Sequence, residues 1–361
     1  MLRPYLAQHS LPALAAAAVV NGQIVAAGAV GTRRTGNDIP VTLDDKFHIG
    51  SCTKAMTSLL AGMLVEGGKL RWDTTVAEIY PELTGAMRDE VKSVRLDQLL
   101  SHTSGIPPDN DAFEKLLMQS FAQSDINLDE LRYWVIKQAV ALPLQSPPGE
   151  RFAYSNLGYM LAGGMIERIT GTTWEEFVAT GIFDPLGLNS AGFGLQSSLG
   201  RVDAPLGHLV RPDGTSKPML AGPNGDNPII VGPAGTVHLS ILDLARWAGW
   251  NAGQGRHGPP LVSAATLRKL QEPVTDMPSA PDAKPGTPSG RYGLGWGTAT
   301  LSFAPEPIVG HNGSNRMNLA SVMLLPKSDF AMVMTTNIFS PAADDGLRAV
   351  AAELYQRFAP K

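Results

Sequence analysis

Ser51-Cys52-Thr53-Lys54 sets a hydroxyl and an amine three residues apart, and no other Ser-x-x-Lys occurs in the 361 residues. A serine attacks a carbonyl carbon only when a neighbour accepts its proton. Burial disfavours the charged form of a lysine, so its pKa falls and a neutral amine becomes available as that base. The pair also reads as a helix cap followed by a lysine that extends to water. Tyr154-Ser155-Asn156 is the one Tyr-x-Asn. Its phenol can relay a proton beside a cationic neighbour, and its amide both donates and accepts. Taken alone it equally reads as a core tyrosine and a capping asparagine. His311-Asn312-Gly313-Ser314 follows Gly310 between two late strands. There Gly313 would let an acyl group approach closely. The Ser314 N–H would join that of Ser51 as an oxyanion hole. His-x-Gly by itself also describes a turn, and His48-Ile49-Gly50 fits it too.

These residues need elements to hold them. Phe47-His48-Ile49 is a short β-like run that turns at Gly50 and opens a helix. Ala55, Met56, Leu59, Leu60, Met63 and Leu64 repeat at helical spacing until Gly67-Gly68, which predicts a buried helix with Ser51 at its N-terminus. Residues 13–20 and 23–30, joined by Asn21-Gly22, predict an antiparallel hairpin. From about Leu70 to Gly235 helical segments alternate with polar, Pro- and Gly-rich connections. Leu128, Leu131, Val135 and Leu142 mark a helix capped by Asn127 and Glu130. Residues 157–169 form another, stopping before Gly171, and Thr172-Thr173-Trp174-Glu175 starts the next. Helices are also expected after Ser240 and Ser263. The runs 291–301, 317–325 and 329–336 have strand character, and 274–290 is a Pro/Ser/Gly-rich surface excursion. Leu347, Val350, Ala351, Leu354 and Phe358 give the last helix one apolar stripe to lay on a sheet.

Strands early and late with helices at both ends predict one antiparallel sheet built from both termini. The expected class is α/β (α+β): residues 1–69 and 236–361 form a discontinuous sandwich, and 70–235 an inserted, mainly helical domain.

Composition narrows the function. The chain is 43% hydrophobic and 17% charged with a net charge of −4, which gives no reason to expect nucleic acid or an anionic membrane as partner. Cys52 is the only cysteine, so an intrachain disulfide or a cysteine metal cluster is excluded. The seven histidines show no metal-ligand spacing. Neither metal nor cofactor is expected. No apolar run approaches the ~18 residues of a membrane span. Leu11–Val20 contains Pro12 and leads into Asn21-Gly22, so it reads as a strand and not as a secretory signal.

The order Ser-x-x-Lys, Tyr-x-Asn and His-x-Gly resembles the serine β-lactamase and penicillin-binding-protein superfamily, closest to its class C β-lactamase, D-Ala-D-Ala carboxypeptidase and family VIII carboxylesterase branch. The resemblance also rests on Phe47-x-Ile-Gly-Ser51, Leu99-Leu100-Ser101-His102-Thr103-Ser104-Gly105, Pro148-Gly149-Glu150-x-Phe152-x-Tyr154, Gly232-Pro-Ala-Gly235 and Tyr292-Gly-Leu-Gly-Trp296. It implies a β-lactamase/transpeptidase-like fold with the site in the cleft between sandwich and insertion. It further implies Ser51 as nucleophile, Lys54 and Tyr154 as the proton-transfer pair, Asn156 orienting substrate, and the Ser51 and Ser314 amides holding the oxyanion. Which of Lys54 and Tyr154 is the base stays open. His102 reads as scaffold.

One departure matters. Many members carry Lys-Thr-Gly where this chain has His311-Asn312-Gly313. A mostly neutral histidine attracts a substrate carboxylate less than a lysine does. Arg316 is a candidate replacement cation, and equally a surface arginine answering a nearby acid. The expectation is therefore a serine hydrolase acting on small esters. β-Lactams or D-alanyl peptides are the alternative, and a non-catalytic binder the remoter one. No Gly-x-Ser-x-Gly elbow of the α/β-hydrolases is present.

Overall fold

The structure, a computed structural model, describes residues 1–123, 125–222, 225–278 and 290–360. Its centre is an eight-stranded sheet in the order Gln23–Gly31, Ala13–Val20, Phe330–Thr336, Leu319–Leu325, Ile308–Ser314, Gly297–Ala299, Arg291–Tyr292, Thr275–Asp276. Every neighbouring pair is antiparallel. The first hairpin turns at Asn21 and Gly22, both at positive φ as a tight two-residue connection requires. It pairs with Phe330–Thr336 in the register Ala17↔Val333, which closes the sheet between the two ends of the chain.

Both faces of this sheet are covered, and alternate residues divide between two cores. Ala13, Ala15, Ala17 and Val19 point with Val322 and Val333 toward the helices Ile241–Ala252 and Lys54–Glu66. Leu14, Ala16 and Ala18 point with Met332 and Met334 toward the C-terminal helix Pro341–Phe358. That helix buries Leu347, Val350, Ala351 and Leu354, the apolar stripe seen in the sequence.

Among the described residues between Lys69 and Gly235, helices far outnumber strands. Asn127 and Glu130 close a reciprocal capping box on Leu128–Ala139, which ends before Leu142. Asn156–Thr170 stops at Gly171 in the left-handed conformation. Its buried neighbours include Arg132, whose guanidinium binds the carboxylates of Glu167 and Glu175. The segment 190–235 contributes short strands of its own. Gly192–Phe193 joins Lys46–His48 and Val237–Ser240 in a small sheet, and His208–Val210 pairs with Ser216–Pro218.

Four local expectations change. His311–Ser314, placed between two late strands, belongs to a strand of its own, Ile308–Ser314, flanked on both sides. Gly310, Gly313 and Asn312 weaken its β signal, and ladders to its two neighbours fix it instead. The run 291–301 is broken into Arg291–Tyr292 and Gly297–Ala299 by a turn with Gly295 at φ +84°. Ser51 lies in a 3₁₀ turn, Gly50–Thr53, that precedes the α-helix Lys54–Glu66. The surface excursion begins as the strand Thr275–Asp276, and its residues 279–289 lie outside the described residues.

Candidate active site

The 3₁₀ turn is held in place by its backbone. Ile49 N–H donates to Val237 O at 2.9 Å, and Gly50 takes φ +50°. One turn later Lys54 is fully buried, inside a helix that packs against Asn156–Thr170 and the Gly232–Gly235 turn. Its Nζ lies 3.1 Å from Ser51 Oγ, 2.6 Å from Asn156 Oδ1 and 2.7 Å from the Ala234 carbonyl. Asn156 Nδ2 in turn donates to Asp109 Oδ2 at 2.6 Å. A carboxylate only accepts, so this last bond fixes which end of the amide faces Lys54.

These partners define the amine's protonation chemistry. Burial pushes the Lys54 pKa down to about 7, against upward pulls from Asp109 and Cys52. A neutral amine has two N–H donors and one lone pair. Ala234 O and Asn156 Oδ1 can only accept, so they take both donors and leave the lone pair facing the Ser51 hydroxyl. The arrangement can therefore draw a proton from Ser51 without reorganising.

Tyr154 arrives from the loop before the same long helix. Its ring lies beside the amine, with Lys54 Nζ 4.7 Å from its centre, and the neighbouring Ser51 side chain pulls the phenol's pKa down against burial. Burial pushes the phenol well above its ordinary pKa, so it rests protonated. His102 packs against Tyr154 with ring centres 4.2 Å apart and the planes tilted by 33°. Its Nδ1 accepts the Ser155 N–H at 3.1 Å, and burial holds the ring well below its usual pKa. That is a scaffold position, as expected from the sequence.

His311 reaches the same cluster from the sheet. Its Nδ1 lies 2.6 Å from the Asn312 carbonyl, which can only accept, so Nδ1 carries the proton. Its Nε2 then accepts from the Tyr292 hydroxyl at 2.9 Å. Burial, with the nearby Lys54 charge, pushes its pKa down to about 4, so the ring is neutral at pH 7. Asn312 points away from this cluster, toward Ser321 Oγ at 2.7 Å.

Gly313 and Gly50 do something the sequence did not show. A Cβ on Gly313 would lie 1.9 Å from Ile49 O and 2.6 Å from Ser51 N, and one on Gly50 would lie 2.2 Å from Ser314 N. The space at Gly313 thus admits the Ser51 turn and not an acyl group. The two glycines let strand and turn touch, which brings the Ser51 and Ser314 amides side by side. Arg316 is exposed at φ +68° and forms no side-chain ion pair among the described residues. Only its backbone engages the site, donating to Ser314 Oγ at 2.8 Å.

Sequence reasoning brought together Ser51, Lys54, Tyr154, Asn156, His311, Gly313 and Ser314, but missed Asp109 and the Ala234 carbonyl. Asp109 precedes a helix-capping Asn110, so locally it reads as a turn residue. Ala234 acts through its backbone, and the only sequence signal is the Gly232-Pro-Ala-Gly235 turn. Beside the site, Phe152, Tyr154 and His311 open onto a cleft of about 440 Å³ that continues past Ile308, Leu319 and Leu347. Arg348 at its rim is engaged by Asp344 at 2.6 Å. Among the described residues no cluster of side chains suits a metal ion, and no helix is long and apolar enough to cross a membrane.

Comparison with known proteins gives a consistent picture. The profile described as Beta-lactamase matches residues 1–357. A penicillin-binding protein 4 of Amycolatopsis lactamdurans is 27% identical over 91% of this chain and 82% of its own length. Protein flp of Staphylococcus aureus is 22% identical, and the chain spans 61% of its length. Among solved structures, the octameric penicillin-binding protein homologue from Pyrococcus abyssi superposes with TM-score 0.76 at 25% identity, over 97% of this chain and 75% of that one. A D-stereospecific amidohydrolase from Streptomyces shares the fold with TM-score 0.73 at 22% identity, covering 99% and 96% of the two chains.

Proposed function

The chain belongs to the beta-lactamase family, and from that premise we propose that it is a serine hydrolase that forms an acyl-enzyme on Ser51, with small esters as its preferred acyl donors. In this reading neutral Lys54 accepts the Ser51 proton as Oγ attacks the carbonyl carbon. The oxyanion is held by the Ser51 and Ser314 N–H groups. The proton passes to the leaving alkoxide through the Tyr154 hydroxyl, which gives its own proton and takes the one from Lys54. The alcohol leaves, and a water attacks the acyl carbon with its proton taken by the same pair; the bond from that carbon to Ser51 Oγ then breaks, the pair returns the proton to Oγ, and the acid is released.

The observation that carries the reading is the lone-pair geometry at Lys54, where two obligate acceptors leave only Ser51 for the amine to deprotonate. Tyr154, held protonated by burial, suits the relay and not the role of first base. Preference for esters is supported by the neutral His311 in place of a fixed cation and by the apolar cleft beside it. A substrate carboxylate finds little to attract it there, whereas an uncharged alkyl or aryl group finds a wall of matching polarity. We also take residues 70–235 as the inserted unit that carries Tyr154 and Asn156 to the cleft.

Parallel kinetics on a p-nitrophenyl acyl-chain series, nitrocefin and a D-Ala-D-Ala peptide test the substrate class. The expected result is the highest kcat/KM on an ester. A higher value on nitrocefin or the peptide would replace the ester reading with β-lactam or D-peptide hydrolysis. Absence of turnover on all of them, with tight binding of any, would favour a non-catalytic receptor.

A further inference from the structure

Behind the reacting atoms lies a second, largely buried polar cluster. His48, in the strand leading to the 3₁₀ turn, has no exposed surface, and its Nδ1 accepts the Gly50 N–H at 3.1 Å. The ring proton therefore sits on Nε2, which faces Asp226 Oδ1 at 3.0 Å. The same oxygen accepts from Asn315 Nδ2 at 2.9 Å. Asn315 Oδ1 then takes three donors from the turn after Ser314: Met317 N at 3.2 Å, Asn318 N at 2.9 Å and Asn318 Nδ2 at 3.0 Å.

Each end of this chain of contacts lies one residue away from an amide assigned to the oxyanion. His48 grips the residue before Ser51, and Asn315 is the residue after Ser314. Asp226 lies on neither element. It belongs to the loop ahead of Gly232–Gly235, and the adjoining Asn227 Nδ2 donates to the Gly235 carbonyl at 3.0 Å. One loop thus ties together the Ser51 turn, the strand end and the turn whose Ala234 carbonyl holds Lys54.

We propose that His48, Asp226 and Asn315 are positioning residues that set the spacing of the Ser51 and Ser314 amides, with Asp226 as the brace between them. The inference rests on the serine-nucleophile reading above. Oxyanion donors act when charge develops in the transition state, and misplacing them slows acylation while leaving ground-state binding intact. A cluster that merely stabilised the fold would instead reduce the number of competent molecules and leave each survivor fully active. The three residues share one carboxylate, so their removal must also be non-additive.

The test uses the full chain, a p-nitrophenyl ester and a fluorophosphonate titration that counts competent Ser51 sites. Asp226→Ala and His48→Phe are each expected to lower kcat per titrated site 10- to 100-fold with KM within twofold. Asp226→Asn, which keeps an acceptor oxygen, is expected to recover most of the loss. The His48→Phe/Asp226→Ala double variant should be no slower than the worse single one. Unchanged kcat per site in Asp226→Ala, or losses that multiply in the double variant, overturn the inference while leaving the nucleophile in place. Should Asp226→Ala not fold, Asn315→Ser breaks the brace at its other end, with the same fall supporting the proposal and an unchanged kcat per site overturning it. Failure of the unaltered protein to label at Ser51 overturns both readings.

Discussion

Replacing Asp109 by asparagine removes one negative charge while keeping an oxygen to accept from Asn156 Nδ2. The charge lies two hydrogen bonds from Lys54, each 2.6 Å long. Adding an amide O-to-N span of about 2.2 Å, from ordinary C=O and C–N lengths, puts the carboxylate within about 7.4 Å of the amine. Asp109 is exposed, so screening is close to that of water. Unit charges at that distance interact by roughly 0.6–1.1 kcal/mol between the dielectric of water and half of it, or about 0.4–0.8 pH unit. The sign follows from which form the charge favours. Asp109 stabilises the ammonium and raises the Lys54 pKa, so its removal lowers that pKa further below about 7. Only neutral Lys54 can accept the Ser51 proton, so kcat/KM rises with pH through that pKa. Asp109→Asn therefore moves the acidic limb of the kcat/KM profile to lower pH by about half a unit, and the variant outperforms the native protein below pH 6. The profile on p-nitrophenyl acetate, corrected for background hydrolysis, measures it. A limb that stays fixed or moves upward would refute the assignment of that limb to Lys54.

Other consequences follow from the same geometry. Gly313→Ala places a methyl group 1.9 Å from Ile49 O, forcing strand and turn apart. The expected loss is about 10²-fold or more in kcat, comparable to deleting an oxyanion donor, with KM little changed in steady-state kinetics. Arg132→Ala removes a buried guanidinium from two partly buried carboxylates, Glu167 and Glu175, and should lower stability by about 3 kcal/mol, the low end for breaking a buried pair, read from denaturant unfolding. A change below 1 kcal/mol would mean the triad contributes little. His311→Lys restores a cation at the cleft, and the ratio of nitrocefin to ester kcat/KM should rise by up to about 5-fold, the value of a partly exposed ion pair.

Much of this molecule was legible in its sequence because the signals were local. Asn21-Gly22 forces a hairpin, Asn127 and Glu130 cap a helix across one turn, and Ser51 and Lys54 meet because a helical turn brings residues three apart together. The features that escaped are long-range. Ile308–Ser314 has two glycines and an asparagine where a strand prefers branched side chains, and it is a strand because neighbours on both sides bond to it. Gly313 reads as room for a ligand until the fold fills that room with the Ser51 turn. Asp109 and Asp226 sit in loops whose composition resembles any turn, and their importance comes from Asn156 and His48, 47 and 178 residues away by numbering. Ala234 carries no side-chain signal at all, since its carbonyl is what holds Lys54.

A covalent adduct on Ser51 bears most directly on all of this. The protein is incubated with a fluorophosphonate probe, digested, and the modified peptide sequenced by mass spectrometry, with Ser51→Ala treated alongside. A single adduct on Ser51, with Ser51→Ala unlabelled and its ester hydrolysis reduced at least ~10³-fold, is the expected result. An adduct on any other residue, or a Ser51→Ala protein that still hydrolyses esters at the native rate, would contradict the account.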